Sequence, residues 1–182
     1  MNDTIQERSA TDSAARVPGN PKWYRQVLGQ YPTGVCIITA PASNGPPAGM
    51  AVGSFTSVSL DPPLVAFLPD RGSTSWPRIR ETGLFCVNIL AADQEHICRR
   101  FAAKALDKFD GLPHRPSPLG SPVIDGVVAW IDCALQDVFD AGDHYIVIGR
   151  VHQLQIESGS SPLVFFQGAY GQVSPCGVLT RA

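Results

Sequence analysis

The chain has 182 residues, 44% hydrophobic and 16% charged, a size and balance that suit one folded domain with a sizeable core. A formal net charge of -2, from 14 basic and 16 acidic residues without any Lys/Arg cluster, argues against a nucleic-acid partner. No apolar run reaches membrane-spanning length and Met1 to Arg16 is too polar for a signal peptide, so a cytoplasmic protein with no membrane contact is expected.

Residues 1–18 lack periodicity and read as a flexible arm, 19–171 as the folded domain, and 172–182 as a tail. Asn20 as N-cap and Pro21 at the first helical position introduce Trp23, Tyr24, Val27 and Leu28 at helical spacing, and Gly29 ends the helix. A Tyr31–Gly34 turn feeds Val35–Thr39, a buried strand. The stretch from Gly49 reads as a second strand and Leu64–Leu68 as a third, with Pro62-Pro63 at their boundary. Ser73 caps a short helix to Arg80, and Leu84–Leu90 is another buried strand. Asp93 caps a helix with Ile97, Arg100 and Phe101 on one face, and Asp107–Pro122 forms a long surface loop. Val127–Leu135, His144–Ile156 and Leu163–Phe166, with a turn at Ala141–Asp143, bring the count to about seven strands and three short helices. Such density without regular βαβ alternation predicts a mainly β fold, an antiparallel barrel or sandwich.

The stretch Gly49–Leu64 is chemically unusual. Gly49, Ala51, Gly53 and Ser54 leave clearance for a flat ligand to reach the backbone, and Thr56, Ser57 and Ser59 add hydroxyls. The same pattern describes a Gly-weakened edge strand, and the residues alone leave both readings open. Nucleotide and hydrolase signatures are missing: there is no G-x-G-x-x-G, no phosphate loop, no G-x-S-x-G and no H-E-x-x-H. Cys36, Cys86, Cys98, Cys133 and Cys176 form no C-x-x-C pair and sit mostly in apolar runs, as free thiols; no metal site is expected.

Asp143-His144 stands at the mouth of a strand, where the imidazole is either a proton or hydrogen-bond donor near neutral pH or part of a structural turn. Lys108 and Phe109 read either as an anion contact beside an aromatic cover or as a solvated loop with one anchoring ring. Tyr170, between two glycines, is either packing or ligand-facing.

The blocks YPTGVCIIT, GMAVGSFTSVSLDPPLVAF, FCVNILAADQ, DKFDG, AGDHYIVIGRV and PLVFFQGAY, in this order, closely resemble the short-chain flavin reductase family, the reductase components of two-component flavin monooxygenases. The resemblance spans Tyr24 to Tyr170 and implies a split β-barrel with Greek-key connections and a few short helices, of the FMN-binding type, assembled as a homodimer. It implies an NAD(P)H-dependent reductase that passes hydride to FMN or FAD and supplies a separate monooxygenase component. The flavin would lie along Met50, Ala51, Val52, Gly53 and Ser54, with Ser57, Val58 and Ser59 nearby and the Pro32, Thr33, Gly34, Val35 turn beside the ring. Phosphate and ribityl contacts would come from Ser73, Thr74, Lys108 and Phe109, while His144 would face the nicotinamide and Tyr170 the ligand. Ala51 stands where relatives commonly carry a hydroxyl, and Gly53 where a bulkier residue is frequent. A non-enzymatic flavin-binding dimer for storage or sensing, and an oxidase that retains its own flavin, are the alternative functions.

Overall fold

The computed structural model describes residues 17–42, 45–105 and 107–173; the expected arm and tail lie outside these except at 17–18 and 172–173. Helix α1 (Pro21–Leu28) starts where the cap signal placed it, with Asn20 Oδ1 accepting from the backbone N–H of Lys22 and Trp23. No residue of α1 is buried, so its Tyr24, Val27 and Leu28 stripe faces outward rather than onto the core.

After a two-residue strand β1 (Thr33–Gly34) come β2 (Cys36–Ala40), β3 (Ala48–Val52), β4 (Thr56–Leu60) and β5 (Pro63–Phe67). Helix α2 (Trp76–Thr82), β6 (Leu84–Ile89), a 3-10 turn and helix α3 (Glu95–Ala102) follow, then β7 (His114–Pro116) and β8 (Pro122–Ile124). The long hairpin β9 (Ala129–Ala141) and β10 (His144–Ile156) precedes β11 (Leu163–Phe166) and β12 (Ala169–Gln172).

Seven strands form one antiparallel sheet in the order β3-β2-β6-β9-β10-β5-β4. Its two edge strands, β3 and β4, are consecutive in the chain, joined only by Gly53–Phe55, so the sheet rolls until both edges share a corner. The connection from β5 to β6 skips β10 and β9, which is a Greek-key crossing in a split β-barrel. At the corner the Ser54 hydroxyl accepts from Leu68 N at 3.0 Å and donates to Leu68 O at 3.3 Å, doing with one side chain what a ladder does elsewhere.

Alternation along the strands divides the core into two. Ile38, Phe67, Phe85, Val87, Cys133 and Val147 fill one layer. Ile37, Cys86, Phe101, Phe109, Trp130 and Leu163 fill the other, beneath α3 and the small β7-β8 and β1-β11-β12 sheets. Because both faces are covered, every residue of β2 is buried, as its continuous apolar run suggested.

Several sequence expectations shift. The Gly49 stretch is two strands broken at the barrel corner, because Gly53–Phe55 must turn from one edge of the sheet to the other. The α2 start lies at Trp76, with Ser73 Oγ accepting from Trp76 N at 3.2 Å. Asp93 does not cap α3; it lies within the 3-10 turn, whose Gln94 side chain accepts from Ala91 N and donates to Asp125 O. The segment expected as a surface loop over Asp107–Pro122 contains β7 and carries the buried Lys108 and Phe109. Among the described residues no helix is long and apolar enough to cross a membrane.

Candidate cofactor site

The ends of several strands meet α1 around a cleft of about 770 Å³. Met50 to Val52 of β3, with Gly53 and Ser54, make one wall; Pro21, Tyr24, Arg25 and Leu28 of α1 make the opposite one. These α1 positions recur at i, i+3, i+4 and i+7, one helical face. Leu68 and Asp70 beyond β5, and Ala141, Asp143 and His144 at the β9-β10 turn, close the end.

β3 pairs only with β2, so its other edge presents backbone groups that no strand among the described residues takes up. Small residues keep this edge open. A Cβ placed on Gly53 would come 2.9 Å from Thr33 Oγ1, so the corner holds either a residue-53 side chain or the Thr33 hydroxyl in its present position.

His144 is half-buried, and its Nδ1 lies 2.7 Å from Asp143 Oδ1. The Asp143 carboxyl is held below its ordinary value first by this hydrogen bond and then by the electrostatic effect of the His144 ring. An ionised carboxylate only accepts, so Nδ1 carries the proton and Nε2 is the nitrogen left for a ligand. The isolated bridge pairing Asp70 with His144, and the bond from Arg71 N to Asp143 O at 2.9 Å, fix the turn that carries this dyad.

The structure thus brings together Met50, Ala51, Val52, Gly53, Ser54 and His144. Thr33 and Gly34 stand beside Gly53. Pro32 lines a separate hollow with Tyr170, and Val35 is buried in the core. Ser57, Val58 and Ser59 lie on the edge strand β4 and do not line the cleft; nor do Ser73 and Thr74.

Lys108 and Phe109 point inward. Lys108 Nζ donates to Phe101 O at 2.8 Å, Gly49 O at 3.2 Å and Ser75 Oγ at 3.3 Å, which uses all three of its N–H groups. Burial, and then the nearby Arg78 charge, lower its pKa. Phe109 packs edge-on to Phe101 with ring centroids 5.1 Å apart. These two residues anchor the platform from behind rather than line it. Tyr170 packs under the Arg99 guanidinium, with its hydroxyl 3.3 Å from Cys98 Sγ. Cys36, Cys86, Cys98 and Cys133 are free and buried, and burial pushes the Cys36 thiol up to about 12; Cys176 lies outside the described residues.

Sequence reasoning missed the α1 wall and the Leu68–Asp70 contribution. The spacing of Pro21, Tyr24, Arg25 and Leu28 was readable, but an apolar helical stripe ordinarily means core. Leu68 and Asp70 carry no local signal, because the roll of the sheet is what delivers them.

Residues 28–174 match the model of the flavin reductase like domain. A flavin reductase from Pseudomonas putida is 64% identical over 84% of this chain and 89% of its own length. The reductase subunit of a flavin-dependent monooxygenase from Rhodococcus jostii is 46% identical over 86% of this chain and 80% of its own length. Among solved structures, the NADH:FAD oxidoreductase of Streptomyces globisporus, in complex with NAD and FAD fragments, superposes with a TM-score of 0.84 at 33% identity, covering 89% of this chain and 98% of that one. The chain belongs to the flavin reductase-like family.

Proposed function

We propose that the cleft between α1 and β3 seats a flavin against the backbone of Met50 to Ser54, with the nicotinamide of a reduced dinucleotide beside His144. The chain is an NAD(P)H:flavin oxidoreductase that supplies reduced flavin to a separate monooxygenase component, the activity of its family. One observation carries the seating: a cavity large enough for a flat ring system is walled by the edge of β3, which no strand among the described residues pairs, and by the small residues Ala51, Gly53 and Ser54 where that strand runs into the corner.

When bound, the flavin supplies the redox chemistry by accepting hydride from the reduced nicotinamide. The chain supplies position and electrostatics. Its walls bring the two rings together, and backbone N–H groups between Ala51 and Ser54 offer hydrogen bonds where negative charge collects on reduction. His144, held by Asp143, presents Nε2 to the carboxamide end of the nicotinamide.

The assembly is a homodimer in this reading. Leu60 and Ile156 are 95% and 78% exposed, Val58 and Leu154 lie beside them in sequence pattern, and among the described residues β10 beyond Arg150 pairs only with β9. A second copy would cover this apolar, open-edged surface. The free, buried thiols suit a reducing cytoplasm.

The test is simple: the purified protein should oxidise NADH or NADPH only when free FMN or FAD is added. Tight flavin retention without turnover would make it a storage or sensing module, and turnover without added flavin an oxidase. Sedimentation should give a dimer; a monomer at micromolar concentration would remove the proposed assembly.

A further inference from the structure

Ser54, Leu68, Asp70 and His144 all line the end of the cleft, although they come from separate parts of the chain. The pairing of β5 with β10 ends at Phe67 and Val147, and that of β5 with β4 at Ala66 and Thr56, so Leu68 lies past both ladders. There the Ser54 hydroxyl takes over, accepting from Leu68 N at 3.0 Å and donating to Leu68 O at 3.3 Å. A hydroxyl has one proton, and this one is committed to Leu68 O, so the Ser54 side chain has no hydrogen left to donate to a ligand.

The segment that follows runs straight to the dyad. Pro69 O accepts from Tyr145 N at 3.0 Å, Asp70 forms its isolated bridge with His144, and Arg71 N donates to Asp143 O at 2.9 Å. The Arg71 side chain adds two ties, an ion pair with Asp140 at 2.5 Å and a guanidinium 4.8 Å from the centre of the Tyr145 ring. Asp70 is itself held, because its Oδ1 accepts from Gly72 N at 2.5 Å and its carbonyl accepts from Ser73 N at 3.0 Å. A shift of Leu68 is therefore carried to the turn at Asp143 and His144 instead of being absorbed on the way.

We propose that Ser54 is a positioning residue for His144: its clasp on Leu68 sets the gap between the β3 platform and the imidazole, and with it the fit of the nicotinamide over the flavin. The inference rests on the cleft being the flavin and nicotinamide site. The side chain acts on the imidazole through Leu68 and Asp70, and the flavin-facing role of this stretch stays with its backbone. Transfer between two held rings is sensitive to displacements of about 1 Å, so loosening the clasp shows in the rate before it shows in binding.

Stopped-flow reduction of flavin by saturating NADH compares the wild type, Ser54→Ala, His144→Ala and the double variant. Ser54→Ala removes one oxygen from a half-buried position, so the fold survives it. It should slow the limiting rate about tenfold with flavin affinity little changed, and Ser54→Thr, which keeps the hydroxyl, should restore the rate. In the double variant the two losses should not multiply, because both act on one imidazole. The clasp is also read without flavin or turnover: the ring-proton resonance of His144, identified by its loss in His144→Ala, should move in Ser54→Ala and return in Ser54→Thr. Losses that multiply, a fall in flavin affinity as large as the fall in rate, or an unmoved His144 resonance in Ser54→Ala would each overturn the proposal. Failure of the underlying reductase reading shows separately, as no flavin-dependent NADH oxidation by the wild type, and the resonance still reads the clasp in that case.

Discussion

The Thr33 hydroxyl occupies the space that a side chain on residue 53 would take, since a Cβ on Gly53 would lie 2.9 Å from Thr33 Oγ1. The chain lacks a hydroxyl at Ala51, and Gly53 opens the corner to one from β1 instead. Gly53→Ala should therefore cost about 1 kcal/mol by overpacking and weaken FMN binding severalfold. Thr33→Ala in the same chain should recover the stability. Urea melts of both singles and the double measure the coupling, and strictly additive losses would show that the two residues do not compete for this space.

A second close approach lies behind the platform. A Cβ on Gly49 would come 2.3 Å from Phe101 Cε1, and Phe101 is itself wedged edge-on against Phe109. The ring has nowhere to go. Gly49→Ala should destabilise by about 1–3 kcal/mol, a fall in Tm of about 2–4 °C per kcal/mol for a chain of this size. A variant melting with the wild type would mean that Phe101 repacks freely.

The Asp143-His144 pair gives a kinetic expectation. His144→Ala should slow flavin reduction by the nicotinamide about tenfold, a loss of positioning, while flavin affinity changes little. Stopped-flow reduction and flavin titration separate the two, and an equal loss in both would remove the assigned role. The pair also has a pH signature. A carboxyl whose folded pKa is depressed adds stability above its unfolded value of about 3.8 and loses it as pH falls through the folded value. Asp143→Asn should thus be less stable than wild type above that value, and the difference should vanish in acid.

Lys108 is buried among neutral oxygen acceptors, so its removal and its titration act in opposite directions. Lys108→Met leaves Gly49 O and Phe101 O without this donor and should cost about 1–3 kcal/mol near neutrality. In the wild type the lowered folded pKa means that the unfolded chain holds the extra proton, so this residue adds stability as pH rises from the lowered value towards 10.5. Denaturant midpoints of the two proteins along the alkaline limb measure that slope, which the variant should lack.

Much of the site was readable because its signals are local. Asn20 and Pro21 start α1, the unbroken apolar run of β2 announces a strand covered on both faces, and Ala141-Gly142-Asp143 makes a tight turn with Gly142 at φ 64°. The small residues of Met50 to Ser54 and the dyad at His144 stand in the sequence as they stand in the cleft. The short strands β1, β7, β8 and β12 escaped notice because two to four residues hold too few side chains to display a period.

Direction was another matter. The Tyr24 and Leu28 stripe has the spacing of a core-facing helix, yet it borders a cleft, since nothing within α1 says what lies opposite. Lys108 has the composition of a solvated loop residue but turns into the protein because Gly49 O, Ser75 Oγ and Phe101 O, far away in the chain, converge there. The sequence by itself determined a β-rich chain, its principal turns and the small-residue edge on which a flavin could rest. Only the rolled sheet, by carrying the ends of β3, β5 and β9 to one corner beside α1, decided which residues share a cleft, because that closure depends on pairings between segments too distant to be read locally.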